Sequence, residues 1–167
     1  GDVTVAANSG THRARVSPGI TGALGEVGTL TLNSLTMNGG ELQFDLVTPA
    51  ASDRINVTGS PGSATFTGAT TISPSGGTAG SYTVLTATSP ITYGVVPTLT
   101  PLSNPLTRPT TYTLDRSSDP NSLKIKGSPL SEENFDEAFA ALVETYAKPV
   151  TLARAPQLTK AGQNSPS

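Results

Sequence analysis

Short runs that alternate polar and apolar residues recur along residues 29–85, most of them starting 11–13 positions apart. In the clearest run, residues 41–46, the apolar side chains are predicted to face the core: Leu42, Phe44 and Leu46. The polar side chains of this run are expected on the opposite face: Glu41, Gln43 and Asp45. The same pattern places Ile55, Val57 and Phe66 in the core. Strands this short and this frequent are typical of a sandwich, a barrel or a solenoid.

Turn residues separate these runs. Asn38-Gly39-Gly40 precedes the run at 41–46, and glycine and asparagine are favoured where the backbone takes a positive φ. Five prolines lie between residues 86 and 111, and each removes a backbone donor, so that stretch is predicted to be an extended wall or edge segment. Residues 111–115 and 122–126 are predicted to form a closing hairpin around a turn at 118–121.

Composition limits the classes of function. Only 13% of the residues are charged, against roughly 25% in average proteins, and the net charge is −2. This balance argues against a nucleic-acid binder, and no apolar run approaches the length of a membrane-spanning helix. The chain has no cysteine, which excludes disulfides and thiolate metal sites. The first residues, 1–4, do not resemble a signal peptide, so an export signal is expected upstream.

Three segments carry a resemblance to a known family. Residues 28–32, 35–46 and 52–59 resemble the autotransporter-associated β-strand repeat, as does the Ser17-Pro18-Gly19 that precedes them. With a similar segment at 80–87, the resemblance extends over about residues 16–126. It implies a right-handed parallel β-helix that belongs to a secreted or surface-exposed bacterial protein.

No constellation of residues in the β region indicates catalysis. The single histidine, His12, has no recognisable nucleophile or orienting acid beside it, and we expect it in a solvated loop. Arg13 and Arg15 could bind an anion, although alternate charges usually mark a wetted strand edge. We therefore predict no enzyme activity, no catalytic residue and no cofactor.

Two groups of acidic residues have structural explanations. Asp45, Asp53 and Asn56 could contribute oxygens to a calcium site, but the chain has no recognisable calcium loop, and turn preferences favour Asp53 as a turn cap and Asn56 within a turn. Asp115 and Asp119 flank the predicted hairpin turn. No metal site is predicted.

The C-terminal 40 residues differ from the rest of the chain. We predict a β-helix-like domain over residues 1–127, an amphipathic helix over 128–147 and an extended basic arm over 148–167. Ser131 is a suitable N-cap, and acidic residues follow it at the positive end of the helix dipole. The apolar stripe has helical spacing, and the arm is basic. Partner contacts are predicted for Phe135, Phe139, Leu142, Val143, Tyr146, Lys148, Arg154 and Lys160.

These features together predict a mainly β, non-enzymatic structural protein of a bacterial surface or extracellular assembly. The helix would either cap its own β domain or dock on a neighbouring subunit, most simply in a homo-oligomer. Neither nucleic acid nor a membrane span is expected. The alternatives are an adhesin or carbohydrate-binding module, which would need exposed aromatic residues such as Tyr82, Tyr93 and Tyr112, and a virion decoration or fibre protein.

Overall fold

The computed structural model describes residues 1–9, 14–19, 26–102 and 110–129. Contacts within the chain define one unit over Gly1–Ser131 and a second over Glu132–Ser167. Residues 130–167 lie outside the described residues, and they hold the predicted arm, all eight predicted partner-binding residues and the predicted helix except its first two residues. Ser128 and Pro129 belong to a strand, so the predicted start of the helix at 128 is wrong. His12 and Arg13 also lie outside the described residues. All described residues belong to the first unit, which extends two residues beyond them to Ser131.

Strands dominate the described residues, and the predicted mainly β class is confirmed. No helix long and apolar enough to cross a membrane occurs in this part of the chain. The first seven strands are β1 (Asp2–Val5), β2 (Arg15–Val16), β3 (Thr29–Leu32), β4 (Ser34–Met37), β5 (Gly40–Thr48), β6 (Ala51–Ser52) and β7 (Arg54–Val57). The others are β8 (Ala64–Phe66), β9 (Thr70–Gly76), β10 (Gly80–Ala87), β11 (Thr92–Tyr93), β12 (Thr98–Leu99), β13 (Thr110–Asp115) and β14 (Ser122–Pro129).

The chain distributes these strands over three sheets, which it visits in turn. Sheet A has the order β1-β4-β8-β11, sheet B the order β2-β5-β9-β12, and sheet C the order β3-β7-β10-β14-β13. All pairs in these orders are parallel except β10/β14 and β13/β14. The short strand β6 pairs antiparallel with β5. The parallel pairs in all three sheets therefore join successive passages of the chain over the same sheet.

Parallel pairing in register stacks apolar side chains into rows. Sheet B aligns Val16, Leu42, Ile72 and Leu99, and sheet C aligns Leu30, Ile55 and Leu85. Six side chains were predicted to be in the core, and each is at most 2% exposed: Leu42, Phe44, Leu46, Ile55, Val57 and Phe66. This prediction is confirmed, and so is the register of β5.

The opposite face of β5 departs from the expectation of a half-buried strand. Glu41, Gln43 and Asp45 are 5%, 7% and 4% exposed, so this strand is buried on both faces. Two of these residues are held by polar contacts: Glu41 pairs with Arg15, and the backbone N–H of Asp53 donates to the carbonyl of Asp45. The expectation that β5 is half-buried is wrong, because alternation reports two faces but not what covers each of them.

The turn before β5 depends on glycine. Gly39 and Gly40 have φ of 144° and 80°, the left-handed side that glycine tolerates. A Cβ on Gly40 would lie 2.6 Å from the carbonyl oxygen of Ala14, so the turn also needs the space that glycine leaves. The predicted Asn38-Gly39-Gly40 turn is thus confirmed, and its glycines admit the chain that leads into β2.

The proline-rich stretch and the closing hairpin agree with the sequence in their described parts. Strands β11 and β12 have only two residues each and form the edges of sheets A and B. Strands β13 and β14 pair antiparallel around the 118–121 turn. Strand β14 continues to Pro129, two residues past the predicted boundary at 127.

We expect Phe44→Ala to lower the free energy of unfolding by about 3–5 kcal/mol, because it leaves a cavity in a fully buried row. Val47→Ala on the same strand is the control; Val47 is 44% exposed, and its loss should cost roughly 0.5 kcal/mol or less. Denaturant unfolding of both variants checks the prediction. Equal effects at the two positions would contradict the assigned core.

Candidate functional site

A row of threonines on the outer face of sheet A is the most regular polar feature of the described residues. The register aligns Thr4, Thr36, Thr65 and Thr92 on four successive strands. Their apolar neighbours in the strands form the rows beneath, so the threonines lie on the opposite, outer side of the sheet. Thr4 and Thr92 are exposed, and Thr36 and Thr65 are half-buried.

The hydroxyls of this row are available to a ligand. Within the described part of the chain, none of the four makes a side-chain hydrogen bond, although each can both donate and accept. Neighbouring strands lie about 4.8 Å apart, which sets the repeat of the row. The arrangement can therefore offer evenly spaced hydroxyl and methyl groups to a polar surface or polymer.

Polar contacts at both ends of the strands hold sheet A together. The Ser34 hydroxyl donates to the Asp2 carboxylate over 2.7 Å, which ties β4 to β1. The Thr67 hydroxyl donates to the Asn38 side chain over 2.5 Å. These bonds connect successive passages of the chain, so they support the row without using its own hydroxyls.

Tyr93 and two neighbours form an aromatic corner at the end of sheet A. The Tyr93 ring stacks on Phe66 with ring centroids 5.3 Å apart, and the Arg116 guanidinium lies 5.2 Å from the Tyr93 centroid. Burial raises the pKa of Tyr93 to about 12, and Arg116 opposes this only in part. The phenol therefore stays protonated at neutral pH, where it cannot serve as a base.

The other two tyrosines considered for a carbohydrate platform have structural contacts. Tyr82 is fully buried, and its hydroxyl donates to the Thr78 carbonyl over 2.7 Å. Tyr112 is half-buried, and its hydroxyl donates to the carbonyl of Gly76. Neither ring is part of an exposed aromatic wall, which leaves Tyr93 alone among the three.

Asp53 joins two passages of the chain at the corner between sheets B and C. Its carboxylate accepts the N–H of Gly28 over 2.7 Å and the N–H of Asp45 over 2.9 Å. The N–H of Arg54 in turn donates to the carbonyl of Gly28. Gly28 must be glycine here, since a Cβ would collide with the carbonyl oxygen of Pro18.

Burial governs the charge state of Asp53. Loss of solvent raises the pKa of Asp53 above its ordinary value of 3.8, and the nearby Asp45 carboxylate adds to this. The two backbone N–H donors lower the pKa but do not cancel the effect of burial. Asp53 is thus a structural carboxylate that bonds to Gly28 across 25 positions of sequence.

These contacts change the roles expected for Asp53 and Asn56. Asp53 bonds across passages of the chain, a longer-range role than the predicted turn cap. Asn56 lies within β7, and its side-chain oxygen accepts the Thr86 hydroxyl over 2.9 Å, so its predicted place in a turn is wrong. Its strand continues the wall of sheet C, and Asn56 stacks in that wall beside Thr31 and Thr86.

Acidic residues at the hairpin also have structural partners. The Asp115 carboxylate lies 2.8 Å from the Lys126 ammonium and accepts the N–H groups of Ser117 and Ser118. The hydrogen bond from Lys126 has the largest effect and the two N–H donors come next, and together they hold the pKa of Asp115 well below its usual range. Asp119 accepts the N–H of Asn121, which lowers the pKa of Asp119. Each carboxylate thereby stabilises the turn between β13 and β14.

An ion pair accounts for Arg15. Its Nε lies 3.1 Å from the Glu41 carboxylate, and the Arg15 side chain remains 54% exposed. Arg15 sits on the edge strand β2, in agreement with the expected wetted strand edge.

No group of three or more histidine, cysteine, aspartate or glutamate side chains with metal-binding geometry occurs among residues 1–9, 14–19, 26–102 and 110–129. Comparisons with protein-family models, with curated proteins and with solved structures each find no match to this chain.

Asp53→Asn should unfold more easily than the wild-type protein, by about 1–3 kcal/mol near pH 4, because one amide oxygen cannot accept both N–H groups. The folded state binds the Asp53 proton more tightly than the unfolded state, so wild-type stability falls as pH rises above 3.8 and through the raised pKa. The deficit of the variant should therefore shrink toward neutral pH. Denaturant unfolding from pH 4 to 8 measures it.

Asp115→Asn is the control with the opposite sign. The lowered pKa of Asp115 gives a contribution that is complete above pH 3.8 and is lost as pH falls. Its deficit should therefore stay constant from pH 4 to 8 and shrink only below pH 3.8, in unfolding measurements extended to acid. A deficit of Asp53→Asn that grows with rising pH would contradict the assignment of Asp53 as a carboxylate destabilised by burial.

Proposed function

We propose that this chain is a non-enzymatic structural module, built as a short right-handed parallel β-helix, in a bacterial surface or extracellular assembly. The C-terminal helix and arm link the module to neighbouring subunits. The observation that carries the proposal is the stacking of like side chains on successive passages of the chain through three sheets. Such a solenoid is a scaffold whose passages are stable only when stacked on one another.

The use of the acidic side chains supports a structural role. Asp53 bonds two backbone N–H groups, Asp115 bonds Lys126 and its own turn, and Glu41 bonds Arg15. Catalysis by paired carboxylates needs side chains that converge on one substrate. These three instead lie at separate corners and edges, and each stabilises the local backbone or a neighbouring strand.

Several features favour an exposed setting and an assembly role. The chain lacks cysteine, is rich in threonine and carries little net charge. This combination is common among exported bacterial β proteins. The resemblance over residues 16–126 points to the same setting. An acidic amphipathic helix followed by a basic arm offers complementary charges, which favour correct register between subunits more than affinity.

A carbohydrate-binding module is the second candidate, and the threonine row favours it. Four aligned hydroxyls could bond the hydroxyls of a glycan lying across sheet A, since no described residue bonds them: those of Thr4, Thr36, Thr65 and Thr92. Among the three tyrosines considered, only Tyr93 is left for a sugar to stack on, and Phe66 and Arg116 already contact its ring, which makes this candidate weaker. Binding of soluble polysaccharides that is lost in Thr36→Val and Thr65→Val would favour it over the scaffold.

The proposed scaffold should neither cleave polysaccharides nor bind calcium tightly. Purified protein incubated with common polysaccharides is expected to release no reducing ends and no unsaturated sugars. Isothermal calorimetry with calcium is expected to show no high-affinity binding, because Asp53 and Asp115, two carboxylates of the described β region, are engaged with the protein itself. Turnover of a polysaccharide would overturn the non-enzymatic assignment, and sub-micromolar calcium affinity would overturn the prediction that the chain has no metal site.

Deletion of residues 148–167 tests the linking role. We expect the full-length chain to be oligomeric and the deletion variant to be a smaller folded species, by light scattering and circular dichroism. A full-length triple variant, Lys148→Gln, Arg154→Gln and Lys160→Gln, separates the charge of the arm from its length. A full-length chain that is monomeric at high concentration would show that the helix is a cap on its own domain.

A further inference from the structure

The turn between β4 and β5 contains Asn38-Gly39, the one place in the sequence where glycine follows asparagine. An asparagine carboxamide can react with the backbone nitrogen of the next residue to close a succinimide ring. A side chain on that next residue hinders ring closure, and glycine has none. Asn38-Gly39 is therefore the position in this chain where local sequence hinders the reaction least.

The nitrogen that attacks in such a reaction, that of Gly39, is not held by a hydrogen bond. Gly39 lies outside the strands, and no acceptor in the described part of the chain takes its N–H, whereas the N–H of Asn38 donates to the carbonyl of Val5 over 2.9 Å. The Gly39 nitrogen can therefore react without first breaking a bond of the fold. Gly39 is buried and Asn38 is exposed, so water and hydroxide reach the pair from the side of the Asn38 carboxamide.

The carbonyl that is attacked, that of the Asn38 side chain, already has a donor. The Thr67 hydroxyl donates to Oδ1 of Asn38 over 2.5 Å. Attack on Cγ moves negative charge onto Oδ1, so a donor at this atom stabilises the transition state more than the starting amide. Backbone bonding holds the donor in position, since the N–H of Thr67 donates to the carbonyl of Met37 over 2.8 Å. The fold thus brings an activating group to the reactive carboxamide from 29 positions away in the sequence.

We propose that Asn38-Gly39 is a self-modification site, where Asn38 is converted to aspartate and isoaspartate and the Thr67 hydroxyl activates the carboxamide. The Gly39 nitrogen gives its proton to hydroxide and forms a bond to Cγ of Asn38. The bond between Cγ and Nδ2 breaks, and Nδ2 leaves as ammonia with a proton from water. Water then opens the succinimide: addition at Cγ gives aspartate, and addition at the backbone carbonyl carbon of residue 38 gives isoaspartate. Water is the only co-reactant, and nothing is oxidised or reduced.

The products differ from asparagine in charge and, for isoaspartate, in the length of the main chain. Asn38 is exposed and follows β4 two positions after Thr36, so the new carboxylate adds a negative charge beside the threonine row of sheet A. Isoaspartate also inserts a methylene into the main chain, in a turn where Gly40 closely approaches the carbonyl of Ala14. The reaction therefore changes, slowly and irreversibly, the charge of this face and the fit of the turn. It does not depend on the scaffold role proposed above.

Peptide mass spectrometry of the full-length protein, incubated at mildly alkaline pH, should show that folded Asn38 exchanges its NH2 group for OH at least as fast as Asn38 unfolded in urea. Asn56 is the matched control within the same chain, since its side-chain oxygen also accepts a threonine hydroxyl, that of Thr86, over 2.9 Å. The residue after it, Val57, is paired on both sides, so Asn56 should stay intact in the folded protein. Slower reaction of Asn38 in the folded protein than in urea would overturn the proposal, because the turn would then protect the bond.

Substitution of Thr67, an exposed residue, tests the activation. Thr67→Val removes the donor and should slow the reaction of folded Asn38 by roughly 2–10-fold, the factor that corresponds to one lost hydrogen bond. Thr67→Ser keeps a hydroxyl and should retain the wild-type rate. In urea the wild-type protein and both variants should react equally fast, and circular dichroism checks that each is folded without urea. Equal rates in folded wild-type and Thr67→Val protein, or a slowing that persists in urea, would overturn the activating role of Thr67.

Discussion

Parallel pairing between distant segments is the constraint on which the rest of the structure depends. Paired residues such as Thr29 and Arg54, or Thr4 and Thr36, are 25 and 32 positions apart, so each sheet forms only when whole passages of the chain align. Closing such loops costs conformational entropy, and the contacts that offset it come mainly from the rows of apolar side chains inside. Phe44 and Ile55 are fully buried for this reason.

The corners between sheets need their own devices, because backbone groups leave the ladders there. At one corner Asp53 accepts two backbone N–H groups from different passages, and glycine at position 28 lets the chain approach Pro18. At the hairpin, Asp115 and Asp119 accept the N–H groups of the turn. These carboxylates satisfy donors that strands cannot reach. Their charges serve the fold, which is why they supply no convergent acid–base pair.

The outer face of sheet A is the part of the described structure that suits contact with another molecule. Its threonine row presents hydroxyls that no described residue bonds. Such a surface suits weak, extended contacts with polar polymers. The row follows from stacking, since the parallel register aligns the hydroxyls.

Alternation along short runs was sufficient to predict the mainly β class, the core residues from Leu42 to Phe66 and the closing hairpin, because side-chain direction in a strand is a local property. The same alternation at 81–85 puts Tyr82 on the side of Val84, so the burial of Tyr82 also could have been predicted.

Only the tertiary structure aligned Thr4, Thr36 and Thr65 or brought Asp53 to Gly28. The steps between aligned residues vary from 25 to 32, so no fixed period marks them in the sequence. The burial of Gln43 was likewise decided in three dimensions, since what covers an outer face depends on segments far away in the chain.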